Sequence, residues 1–241
     1  MSDEAITLGH PSYIWREGQE RRLQLIRQYV TLEGARILDV GCGLGLYIKR
    51  FREFSDEVHG VDIDAAKVRE ASVALPNIRQ APAECLPYPD ETFDVLLSHE
   101  VLEHVSDDRA AVREAHRVLK PGGRMVVFVP NRLYPFETHG LYWRGKYHFG
   151  NFPLVNYLPN SLRARFCPHV RAYTYGGLRR LFEQLPGRIV VHRYLFAGYD
   201  NVMARWPALG RLLRRVTYAL EDTPLSFLGL SHLMVYERAC P

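Results

Sequence analysis

The chain has 241 residues, 47% hydrophobic and 24% charged, an ordinary globular composition that excludes collagen-like, fibrous and disordered classes. Four cysteines (Cys42, Cys85, Cys167, Cys240), irregularly spaced and without a CxxC pair, argue against a disulfide framework and a structural zinc site, and no metal site is expected. The net charge of +4 hides an asymmetry, because residues 1–130 carry a net −5 and 9 aromatics while residues 131–241 carry a net +9 and 19 aromatics; such a split suggests two jobs on one chain. Met1-Ser2-Asp3-Glu4 is acidic with no apolar run after it, and no stretch approaches the roughly 20 apolar residues of a spanning helix, so a cytoplasmic protein is the default expectation.

In chain order, Tyr13 to Thr31 has helical apolar spacing at Ile14, Leu23, Ile26 and Val30. Arg36–Val40 reads as a short buried strand, cut off by Gly41-Cys42-Gly43-Leu44-Gly45, and Leu46–Phe54 resumes a helix. Glu57–Val61 is a second strand ending in Asp62-Ile63-Asp64, where Asp64 caps a helix over 65–74. Strands are expected at 77–80 and 93–98, a helix at 107–119 stopped by Pro121-Gly122-Gly123, and an almost wholly apolar, central strand at 124–129. Beyond Pro130, residues 131–172 are dense in aromatics, Pro and Arg without a clean period. A helix is expected at 173–185 and strands at 188–196 and 233–238. Strand–helix alternation at this spacing predicts an α/β, doubly wound, mostly parallel seven-stranded sheet with an antiparallel C-terminal edge strand. One domain is expected over 1–241, with a core at about 35–131 and a cap built from insertions at 131–172 and 197–230.

The glycine-rich turn after the first strand is where chemistry is expected. A Cβ there would block both the tight turn and close approach of a ligand to the backbone, and the helix that follows offers free N–H groups. The spacing is GxGxG, with Leu46 where a dinucleotide fingerprint would want glycine, which counts against a nicotinamide cofactor. Alone, the motif reads equally as a tight strand-to-helix turn. Asp62 ends the second strand 17 residues later; in an open α/β sheet that position borders the glycine loop, where a carboxylate accepts both ribose hydroxyls. Its bland alternative is a loop or capping acid.

With these segments in hand, the sequence resembles the class I S-adenosylmethionine-dependent methyltransferases, in particular the small-molecule branch similar to quinone-biosynthesis enzymes. ILDVGCGLG (37–45), VHGVDID (58–64), AECLPYPDETFDVLLSHEVLEHV (83–105) and HRVLKPGGRMVVFVPN (116–131) stand in family order and spacing. The resemblance implies a Rossmann-like fold and S-adenosyl-L-methionine as cofactor. It implies that Asp39, Gly41, Gly43 and Gly45 hold the methionine part, Asp62 the ribose with Ile63 beside the adenine, and Ala83 and Glu84 the adenine edge. Ser98 and His99 would line the crevice near the sulfonium, and Tyr13 would close over the cofactor.

The acceptor is expected to meet the parts outside this core. The exocyclic-amine motif of nucleic-acid enzymes is replaced by Ser98-His99-Glu100-Val101, and Cys167-Pro168 reverses the order of a C5-pyrimidine nucleophile, so Cys167 reads as a small buried residue. Glu137 and His139 share a loop leaving the fifth strand at the crevice mouth and are the expected polarising pair or base; His99, His104 and His148 are alternatives, each equally readable as structural. Tyr142, Trp143, Tyr147, Phe149, Phe152 and Tyr157 read as an aromatic lid or as the core of a cap. Residues 202–220 carry one helical stripe (Val202, Trp206, Leu209, Leu213, Val216, Leu220) among arginines, which either packs on the sheet or lies in a membrane interface. The expected activity is methyl transfer to a small molecule (lipid, quinone, sugar or secondary metabolite), anionic or lipid-linked, with peripheral membrane contact and no obligate protein partner. A moderate positive excess with few lysines argues against nucleic acid. The alternatives are an RNA or protein methyltransferase and a non-catalytic cofactor-binding protein.

Overall fold

The structure, a computed structural model, describes residues 15–240. After α1 (Glu17–Tyr29) come β1 (Ile37–Val40), α2 (Leu46–Phe51), β2 (Val58–Asp62), α3 (Ala65–Ser72) and β3 (Ile78–Gln80), then β4 (Phe93–His99), α4 (Asp108–Val118) and β5 (Leu119–Pro130). The sheet is completed by β10 (Gly187–Leu195) and β11 (Ser231–Arg238), in the order β10-β11-β5-β4-β1-β2-β3. Strands β1 to β5 are parallel, and β11 runs antiparallel to both of its neighbours. The C-terminal strand is antiparallel as expected but is not the edge: β11 lies one place in and β10 lies outside it. The chain winds one way from β1 to β3 and the other way from β4 onward, so a crevice opens beyond the carboxyl ends of β1 and β4.

Alternation along the central strands explains the layers. Val126 and Phe128 of β5 join Ile26 of α1 and Ile48 and Phe51 of α2 on one face. Met125, Val127 and Val129 meet Val112 and Ala115 of α4 and Phe182 on the other. Capping sets the helix starts: Asp64, as expected, accepts from the Ala66 N–H at 2.8 Å, and Asp107, read from the sequence as the first helical residue, is the cap and accepts from the Ala110 N–H at 2.9 Å. One expectation needs correction. Pro121-Gly122-Gly123 does not lie between helix and strand, because β5 already starts at Leu119 and the triplet bulges out of it. Phe93 pairs with Leu119 and Val95 with Arg124, and Gly122 takes a φ of 77°.

The segment between β5 and β10 is a cap of small pieces: β6 (Phe136–Glu137), β7 (Leu141–Trp143), β8 (Lys146–His148), β9 (Phe152–Pro153), α5 (Asn160–Phe166) and α6 (Tyr175–Arg180), the last much shorter than the helix expected at 173–185. Between β10 and β11 lie α7 (Asp200–Arg205) and α8 (Pro207–Leu220), with Pro207 at the first helical position. Among the described residues no helix is long and apolar enough to cross a membrane.

Candidate active site

The crevice starts where β1 runs out. Gly41, Gly43 and Gly45 all take left-handed φ values of 72°, 54° and 76°. A Cβ on Gly41 would stand 2.4 Å from a methyl of Val101, and one on Gly45 2.2 Å from Leu75, so packing as well as backbone conformation demands glycine there. Gly43 meets nothing within 4 Å and faces open space. Its N–H donates to Asp62 at 2.8 Å, and the other Asp62 oxygen accepts from the Asp64 N–H at 2.9 Å. Those bonds fix the carboxylate at the end of β2 and leave lone pairs for a ligand. Asp39 is buried, and burial together with the Asp62 charge raises its pKa well above the usual carboxylate value.

The cavity measures about 360 Å³, within the range of small-molecule sites. Asp39, Gly41, Gly43, Asp62, Ile63, Ala83, Glu84 and His99 all line it. Gly45 stands behind the loop as the residue capping α2. Glu84 also pins the far rim, accepting from the Ser106 N–H at 2.8 Å. Ser98 is a correction. Neighbours on a strand point to opposite faces, so while His99 lines the crevice, Ser98 is buried against Val40, Leu102 and Met125 with its hydroxyl unpartnered. Tyr13 lies outside the described residues. Sequence reasoning missed Tyr47, Glu100, Val101 and, as a wall residue, His104; Tyr47 is 5.1 Å from His99 between ring centres. Burial drives the His99 pKa down to about 3 and keeps its ring neutral.

Behind the wall formed by Glu100 and His104 lies a polar cluster. Glu100 has a φ of 57°, unusual for a non-glycine residue, and marks a sharp turn after β4. His139 Nε2 is 3.8 Å from Glu100, and His139 Nδ1 is 3.1 Å from Glu137. The second Glu137 oxygen meets Arg163 at 2.5 Å. Burial opposes the charged form of His139, but the Glu100 and Glu137 carboxylates outweigh it and raise its pKa to about 10. Burial likewise opposes ionisation of Glu137, yet His139 and Arg163 bring it down to about 2. The two residues expected to act on the acceptor are thus brought together, but neither lines the crevice, and His139 already holds a proton. His148 sits exposed on β8, away from the site.

The aromatic residues do not form a lid. Among the described residues, none of Tyr142, Trp143, Tyr147, Phe149, Phe152 or Tyr157 lines the crevice. Trp143 stacks on Phe166 at 5.8 Å, the Tyr147 hydroxyl donates to the His139 carbonyl, and Phe152 packs on the cap core of Leu141, Cys167 and Val170. Cys167 is the small buried residue expected, its thiol pushed up to about 11 by burial.

This fold has counterparts. Residues 38–127 match the methyltransferase domain family. Solved structures share the fold at low identity: an S-adenosylmethionine-dependent methyltransferase from Mesorhizobium loti (21% identical, TM-score 0.62, covering 90% of this chain and 96% of that one) and the cyclase SpnF (20% identical, TM-score 0.61, 97% and 84%). Over residues 38–127 the chain is similar to methyltransferase domains, and its fold is that of S-adenosylmethionine-dependent methyltransferase structures. Within that segment it is related to the ubiquinone biosynthesis O-methyltransferases: that of Rhodopseudomonas palustris is 41% identical over 108 residues, 42% of each chain, and that of Brucella ovis 40% identical over 116, 46% of each. The chain spans less than half the length of the curated relatives it matches.

Proposed function

We propose that this chain transfers the methyl group of S-adenosylmethionine to a hydroxyl oxygen of a small, lipid-linked acceptor. The observation that carries the reading is the cavity of about 360 Å³ in which the backbone at Gly43 and the carboxylates of Asp39 and Asp62 converge at the switch point of the sheet. Bound there, the cofactor would supply a methyl on a positively charged sulfur to the acceptor oxygen, whose proton would pass to solvent water. Asp62 would accept the ribose hydroxyls, Asp39 and the glycine loop would hold the methionine end, and Ala83 and Glu84 would bound the adenine side. His99 and Tyr47 shape the apolar wall where the acceptor approaches. Alignment is the main catalytic contribution of such a site. His139, oriented by Glu137, serves as a positioning group behind that wall and, with Arg22, keeps the Glu100 carboxylate ionised.

The choice of oxygen as acceptor atom follows the name of the ubiquinone biosynthesis O-methyltransferases. A membrane-borne acceptor fits α8, whose outer face carries Trp206, Leu209, Leu212 and Val216 beside Arg211 and Arg215 with no acidic residue on the helix. Fold alone would not decide the reaction, since one neighbour of the same architecture is a cyclase. The test is incubation of the purified chain with methyl-labelled cofactor and hydroxylated aromatic acceptors with and without a prenyl tail. A labelled methyl ether on the prenylated acceptor is expected; label on none of them, or only on protein or RNA, contradicts the reading.

A further inference from the structure

A second cavity, of about 260 Å³, lies beside the crevice, between α1 on one side and the end of β10 with α8 on the other. Gln19 and His99 line both cavities, so the two spaces meet at these side chains. The charges around the second one do not cancel. Arg16, Arg21 and Arg22 line it, and Asp200 is its one acidic residue among the described ones. Asp200 is matched by Arg214 at 2.7 Å. Arg21 is already engaged, 2.5 Å from Glu221 and stacked 3.7 Å over the Tyr218 ring. Arg22 is not. Its Nη2 donates to the Ser231 hydroxyl at 3.2 Å, its Nε and Nη1 donate to no described residue, and Glu100 stands 3.7 Å away, beyond hydrogen-bond distance. Arg16 is exposed and pairs with no carboxylate among the described residues. At the junction, His99 Nε2 is buried without a hydrogen-bond partner. Burial first, and the Arg22 charge second, keep that ring neutral. A buried polar atom without a partner is uncommon and marks a place for a ligand group.

The geometry points to the second cavity as an anion-binding subsite for the acceptor, where Arg22, joined by Arg16, takes a carboxylate or phosphate group while His99 Nε2 meets the acceptor hydroxyl at the junction with the crevice. A guanidinium presents paired donors that match either anion, and Arg22 has a pair to offer. Its side chain is only 21% exposed, so the attraction is stronger than it is between groups in open water. Leu195, Phe196 and Leu230 give the cavity apolar wall against which the body of the molecule can lie. The neutral imidazole exchanges one hydrogen bond with the hydroxyl and adds no charge beside the methyl donor. The acceptor so defined carries its anionic group one cavity away from the oxygen that is methylated. That the anion belongs to the methyl acceptor rests on the methyl-transfer reading, whereas the anion site itself does not.

The test is calorimetric titration of the full chain, without any S-adenosylmethionine, with benzoate, phenyl phosphate and phenol as the neutral counterpart. At least one of the two anions is expected to bind saturably and about 10-fold or more tighter than phenol, the tighter one naming the group recognised. Arg22→Gln is expected to remove about 10-fold or more of that affinity, and Arg16→Gln a smaller part, while leaving phenol unaffected. Arg109→Gln, on the exposed surface of α4, is expected to change nothing. Circular dichroism checks the fold of each variant, and Arg16→Gln, at an exposed side chain, decides the matter if Arg22→Gln fails to fold. Equal binding of the anions and phenol, no saturable anion binding, or full anion affinity in the folded arginine variants overturns the proposal. None of these probes carries a methyl-acceptor reaction, and cofactor affinity is measured separately, so either reading can fail alone.

Discussion

Glu137 shows how one buried side chain can organise a region. Its carboxylate takes Arg163 on one side and His139 on the other. Arg163 also donates to the Val170 carbonyl at 2.8 Å and to Asn156 at 3.2 Å. Removing one partner of a buried pair leaves the other charge uncompensated. Glu137→Gln is therefore expected to destabilise the protein by about 3 kcal/mol, read as a lower urea midpoint; an unchanged midpoint would contradict the assignment. The histidines of the β10–β11 edge make a pH prediction. His232 Nε2 donates to the Tyr173 carbonyl at 2.9 Å, which leaves its Nδ1 to accept from His192 Nε2 at 3.0 Å. Both rings are thus neutral. Burial lowers His232 to about 4, and burial with the neighbouring His232 lowers His192 to about 3. A depressed histidine means that the unfolded chain binds the proton first as pH falls, so stability is intact above about 6.5 and is lost between 6.5 and about 4, roughly 3 kcal/mol for His232 alone. Urea midpoints at pH 7 and 4.5 should differ markedly, and less so in His232→Gln; equal slopes would refute the account.

At the scale of elements, α8 divides its stripe in two. Glu221 at its end accepts from Arg21 at 2.5 Å and from the Phe196 N–H at 2.9 Å, anchoring the helix to α1 and β10. Gly210 faces inward, with Met203 occupying the space a Cβ would need. Trp206, Leu209, Leu212 and Val216 remain 45–58% exposed. The sequence carries one stripe over 202–220 with a helix start expected near Pro207, and the break at Trp206, with a ψ of 80°, separates α7 from α8 there and leaves half of the apolar surface outside. Anionic vesicles should co-sediment the protein, and Leu212→Glu with Val216→Glu should release it; retention in the supernatant by the unaltered chain would count against a membrane role. Most core elements were legible because each carried its own cap or period: Asp64, Asp107 and the apolar run 125–129. The bulge at 121–123 was not, because Pro-Gly-Gly ends a helix and opens a bulge with the same residues, and only pairing with β4 distinguishes the two.

For the whole molecule, the charge and aromatic split has a structural meaning. The acidic first half forms the crevice side of the sheet, and the basic, aromatic second half forms the cap, β10, β11 and the α7–α8 insertion. The cofactor side of the site was readable because its ligands lie on two strand ends with a fixed relation in the fold. The cluster side was readable only as Glu137 beside His139. Its other members, Glu103, His104 and Arg163, come together through the packing of cap on core, which no local pattern encodes. The central claim is cofactor binding through the glycine loop and Asp62, and calorimetric titration with S-adenosylmethionine tests it most directly. Saturable binding is predicted, weakened roughly 10- to 100-fold in Asp62→Ala by loss of a charged hydrogen-bond acceptor. No binding up to about 1 mM, where the binding free energy is only about 4 kcal/mol, or an unchanged affinity in Asp62→Ala, would contradict it.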